Sequence, residues 1–207
     1  MKNFAYLFEQ LDETTKTNDR IKALVAYFHA STDEDKLWAV ALLGGKRPKR
    51  SVPSNWIKDW VVEISGIPMW LFEESYQVVG DMSETISLLL PQQDSNLSEK
   101  TLSAWMKEIV SLTTKGEEEK KEFVLQSWKG LNKRERFIFN KLIGGSFRIG
   151  ISQKNMVKAL ALFTQKEEND LAHRLMGNWS PQETSFSELI FGENQNVDLS
   201  KPYPFYL

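Results

Sequence analysis

The chain contains no cysteine. Disulfides and thiolate metal sites are therefore excluded, and an intracellular protein is the expectation. Histidine is nearly as scarce: His29 and His173 are the only two, each set among helix formers, and neither has the neighbouring ligands that a zinc site requires. No apolar run approaches the roughly 18 residues that a bilayer span needs. The opening stretch from Met1 to Gln10 carries Glu9 and no signal-peptide cleavage pattern. No segment alternates apolar and polar residues as a half-buried strand does. A phosphate-binding Walker loop is missing, because Gly45-Lys46 is followed by Arg47 and Val40 stands where the first glycine should be. Nor is there an excess of positive charge: 26 Lys and Arg face 28 Asp and Glu, a formal net charge of −2. With so little histidine and no cysteine, a hydrolase would have to work with carboxylates and hydroxyls, and no pairing of them stands out.

What is present is an ordinary globular composition, 41% hydrophobic and 26% charged, with seven Trp and twelve Phe. That is enough to bury a core in one large domain or two packed halves. The apolar spacing is helical nearly throughout. Phe4, Leu7, Phe8 and Leu11 form one stripe, and Ile21, Leu24, Val25 and Phe28 a second, with Asn18 as its candidate cap. Thr32 before Asp33-Glu34-Asp35 is a helix start whose acids suit the dipole. Further helices are expected to stop at Gly44-Gly45, Gly66 and Gly80, to start at Pro68 and Ser98, and to fill 117–129, 132–143, 153–164, 167–177 and 181–191. The reading is an all-α, compact multi-helix domain of about ten to twelve helices. It spans 1–191, with lobes at roughly 1–90 and 98–191 divided by the loop from Pro91 to Asn96. Residues 192–207 read as a linker.

Charge is clustered although it is balanced. Acid gathers at Asp33-Glu34-Asp35 and Glu117-Glu118-Glu119, base at Lys46-Arg47-Pro48-Lys49-Arg50 and from Lys129 to Lys141. A near-neutral protein can still present one strongly positive face. The second basic run is interrupted by Glu135, and a solvated helix face accounts for it at least as well.

Two segments 100 positions apart share a pattern. Leu42-Leu43-Gly44-Gly45 runs into Lys46, Arg47, Lys49, Arg50 and Ser51, and Leu142-Ile143-Gly144-Gly145 runs into Ser146, Phe147, Arg148, Gly150, Ser152, Gln153 and Lys154. Each reads as helix, glycine stop, loop and new helix, so the two lobes are expected to carry pseudo-repeated hairpins. Paired glycines can end a helix in a left-handed turn and let a ligand approach the backbone. The helices that follow, near Pro53 and Ser152, would direct unpaired N–H groups at an anion. Those sixteen positions, Gly44 to Arg47, Lys49 to Ser51, Gly144 to Arg148, Gly150 and Ser152 to Lys154, are the candidate phosphate contacts. Helix hairpins with glycine stops also occur in many all-α proteins. A helical protein-interaction scaffold with no nucleic-acid role therefore stands as the alternative.

At these residues the sequence resembles the N-terminal DNA-binding domain of ATP-dependent DNA ligases. Arg134-Glu135-Arg136-Phe137 with Lys141 to Ser152 is similar to that domain's second DNA-contact hairpin. Leu71 to Tyr76, Val79-Gly80-Asp81 and Glu84-Thr85 are similar to its mid-domain signature. Leu11 to Thr14 with Lys22 to Phe28 fits its opening, and Pro202-Tyr203-Pro204-Phe205 looks like the lead into a catalytic core. The likeness covers essentially the whole chain. The basic first hairpin departs from the archaeal and eukaryotic pattern and looks more like a bacterial branch. The resemblance implies sequence-independent binding of nicked double-stranded DNA through the minor groove and phosphates, in DNA repair, replication or recombination. It implies a monomer in the bacterial cytoplasm, associated with the nucleoid and not with a membrane. The family adenylates a lysine in Lys-x-Asp-Gly, a motif that does not occur here, since Lys58-Asp59 lacks its spacing and glycine. The expectation is that this chain alone is not an enzyme and holds no cofactor, and that ATP and Mg2+ belong to a catalytic core outside it.

Overall fold

The computed structural model describes residues 1–91, 98–145 and 151–192. The described residues form α-helices joined by turns, with no strand among them. The helices are α1 (Lys2–Glu13), α2 (Thr17–Ala30), α3 (Asp33–Leu43), α4 (Ser54–Ser65), α5 (Met69–Val79), α6 (Met82–Leu89), α7 (Leu102–Ser111), α8 (Glu117–Gly130), α9 (Lys133–Gly144), α10 (Gln153–Thr164), α11 (Glu168–Met176) and α12 (Phe186–Phe191), with a 3-10 turn at Leu112–Thr114. The described residues thus form an all-α fold with twelve α-helices, as the periodicity implies. None of the described helices is long and apolar enough to cross a membrane.

Local chemistry sets most of the ends. The Thr32 hydroxyl accepts from the Asp35 amide at 3.3 Å, and Gly66 and Gly80 close α4 and α5 in the left-handed conformation. Three starts differ from the sequence expectation. Asn18 lies inside α2, which begins after Lys16. Ser98 is not the cap of α7; Thr101 is, accepting from the Ala104 amide. Helix α12 waits for Ser185, which with Glu188 forms a capping box, because Ser180 holds 181–183 in a turn through the Gln182 and Glu183 amides.

The chain divides into two compact units, one of Met1–Tyr6 and Arg47–Arg148, the other of Leu7–Lys46 and Ile149–Leu207. This division is not drawn at 91–96: each unit joins two separate stretches. The reason is visible in the second unit, where α10 packs on α2 and α12 on α3, so helices far apart in the sequence share one core. Phe28 and Leu24 are fully buried there, and Phe28 meets Phe163 at 5.6 Å. Lys36 lies over the Phe163 and Phe186 rings while pairing with Asp33. The Tyr27 hydroxyl donates to the Asp35 carbonyl, and burial raises it above the ordinary phenol range.

The first unit is built around α9, which packs on α6 and α7. Phe139 touches Trp105 at 5.3 Å and Phe123 at 6.0 Å between ring centroids. The Trp128 indole donates to Asn140 at 2.8 Å. Two cations of the 129–141 run are structural, which corrects the expectation of a solvated face for them. Arg136 is 2% exposed and donates to the Trp128, Leu131 and Pro91 carbonyls, with burial lowering its pKa. Lys141, also buried, meets Asp81 at 2.6 Å. The period of α9 turns positions 136 and 140 inward with Ile143, and a guanidinium there can be tolerated because helix-end carbonyls surround it.

Candidate nucleic-acid interface

Both glycine stops form as helix ends. At the end of α3, Gly45 sits at φ +84; its amide donates to the Leu42 carbonyl and that of Lys46 to the Ala41 carbonyl, the paired bonds of a Schellman motif. At the end of α9, Gly145 sits at φ +65. A side chain at either position would be strained by the backbone alone.

The basic side chains after the first stop do different things. Arg47, Lys49 and Arg50 are exposed members of the first unit. Arg47 donates through Nη1 to the Gly145 carbonyl at 2.7 Å. Arg50 donates through Nε to the Gly144 carbonyl at 3.0 Å and through Nη1 to Ser54 Oγ at 3.0 Å. The two arginines of the first loop thus cap the carbonyl end of α9, where the dipole favours cations and the last carbonyls lack helical partners. Arg50 also ties that end to the first turn of α4. Lys49 makes no hydrogen bond or ion pair among the described residues. Ser51 is 4% exposed and donates to the Ile109 carbonyl at 2.8 Å. It anchors the loop from beneath. Ser51→Ala should therefore lower stability by about 1 kcal/mol, read as a lower urea midpoint with an unchanged slope; an unaltered midpoint would show that the bond contributes nothing.

In the second unit, Lys46 turns onto its own chain. Its ammonium donates to the Gly177 carbonyl at 2.9 Å and to the Trp179 carbonyl at 3.4 Å, and lies 4.7 Å from the Trp179 ring centre. Burial lowers its pKa. Ser152 caps α10 by accepting from the Asn155 amide, and Gln153 and Lys154 are exposed on that first turn.

The structure therefore brings Arg47 and Arg50 to Gly144 and Gly145, and turns Lys46 and Ser51 to internal partners. Ser146, Phe147, Arg148 and Gly150 lie outside the described residues, as does the segment 193–207 read as a linker. The inter-loop hydrogen bonds had no sequence signal beyond one: a helix ending in two glycines must find donors for its last carbonyls, and the basic loop could supply them. Among the described residues no group of three or more His, Asp or Glu side chains could hold a metal ion.

A family model described as DNA ligase N terminus matches residues 1–161. No curated protein sequence matches the chain.

Proposed function

Because the chain belongs to the DNA ligase N-terminal family, we propose that it holds nicked duplex DNA without reading its sequence, through phosphate and minor-groove contacts made by the loops after α3 and α9. What carries this reading is the convergence of those loops. Arg47 and Arg50 reach Gly145 and Gly144, so one exposed basic surface gathers two backbone turns that lie far apart in the sequence. Lys49 is exposed beside them and pairs with no charge among the described residues. Charge of this kind supplies affinity for any duplex by displacing condensed counterions.

On this reading Lys49, Gly144, Gly145, Ser146, Phe147, Arg148 and Gly150 line the contact, and Arg47 and Arg50 hold its loops in place through the Gly145 and Gly144 carbonyls. Gly44, Gly45, Lys46 and Ser51 shape the first loop, and Ser152, Gln153 and Lys154 present the amide end of α10. The domain assists a nick-sealing ligase in repair, replication or recombination, and the ATP and Mg2+ of that reaction are handled by a catalytic core outside this sequence. The test is a titration of a fluorescent nicked duplex at two salt concentrations. Binding should weaken as salt rises, since each phosphate contact releases counterions. Absence of binding at about 20 mM salt, where screening is weak, would remove the proposal.

A further inference from the structure

From Asp59 to Glu99 the sequence has eight acidic residues and no Lys, Arg or His. Helix α5 lies within this stretch and is poorly covered. Phe72 is its one buried residue, whereas Trp70 is 64% exposed, Leu71 37% and Val78 86%. These are not scattered positions. Trp70, Glu74 and Val78 follow one another at i, i+4 and i+8, and Leu71 sits beside Val78 at i, i+7, so they share the face opposite Phe72. Glu74 thus lies on this face between Trp70 and Val78 and Glu73 borders it beside Trp70; both are exposed and without an ion pair among the described residues. Lys58 of α4 lies over Tyr76.

We propose that this face of α5 docks a separate protein through a basic amphipathic helix. The chemistry selects the occupant. An exposed tryptophan beside two aliphatic side chains makes an anchor of the kind that dominates protein interfaces. The acidic border repels phosphate, so the occupant is not nucleic acid. A second copy meeting it face to face would set Glu73 and Glu74 against their own counterparts. A helix that presents apolar residues with lysine or arginine among and beside them satisfies both the apolar side chains and the two carboxylates.

The inference goes beyond the nucleic-acid reading, and its test contains no DNA, so the two can fail separately. The probe is a fluorescein-labelled peptide of about 18 leucine and lysine residues in helical register; its control is a scrambled peptide of the same composition, and anisotropy is read on the 207-residue chain. The amphipathic peptide should bind more tightly than the scrambled one. Trp70→Ala should weaken it about tenfold, and Glu73→Lys with Glu74→Lys should abolish it. Both changes lie on the exposed face, and circular dichroism checks that the helices remain. Equal binding of the two peptides, or an unaltered affinity in Trp70→Ala, would overturn the proposal. So would sedimentation showing a dimer that Trp70→Ala dissolves, which would place a second copy on the face.

Discussion

Alanine at Arg50 is expected to weaken nicked-duplex binding about tenfold, near the contribution of a charged hydrogen-bond donor, while leaving the salt dependence nearly unchanged. The guanidinium already donates to the Gly144 carbonyl and to Ser54, so its main effect is to fix the end of α9 beside α4. Losing it loosens the loop without deleting a phosphate partner. Lys49 gives the contrast. It is exposed and has no partner among the described residues, so Lys49→Ala should reduce the slope of log affinity against log salt by about one, the signature of a lost phosphate contact. Anisotropy at several salt concentrations on two unrelated duplexes separates the two behaviours. A slope that falls by one in Arg50→Ala would put that guanidinium on DNA and not on α9. An unchanged affinity would remove the loop from the interface altogether.

The second large effect concerns the helix that carries Gly144. Phe139 is fully buried and meets Trp105 and Phe123. Phe139→Ala should destabilise the protein by about 3–5 kcal/mol, the loss for deleting a buried aromatic ring. Urea denaturation followed by tryptophan fluorescence should show a lower midpoint with its slope retained. A loss under about 1 kcal/mol would mean that the site collapses around the vacancy and that the ring is not where α9 is held.

The helices were legible because their signals are local. Thr32, Ser152, Gly66 and Gly80 act within a turn of themselves, and α10 begins at Gln153 and ends at Thr164, as its spacing implies. The starts of α2, α7 and α12 were less legible, since Asn18, Ser98 and the 181–184 turn each offer a plausible cap near the real one. The basic loops could be found as charge but not as geometry. Nothing local distinguishes Arg50, which reaches Gly144, from Lys49, which does not, or shows that Lys46 turns onto Trp179. Those outcomes depend on which carbonyls tertiary packing leaves without partners. The burial of Arg136 and Lys141 has the same origin: their helical positions place them inward, and only the surrounding carbonyls and Asp81 make that tolerable.

The discontinuous make-up of the units also fixes an order of assembly during synthesis. Every helix from α4 to α9 lies in one unbroken stretch of the first unit, and these helices can pack as soon as they are made. Helix α2, by contrast, finds its main partner in α10, and the whole of that stretch must be translated before α10 exists. Until then Leu24 and Phe28 have no α10 to cover them, so the early segment is the one exposed to aggregation on the ribosome. High sequence separation of this kind slows folding.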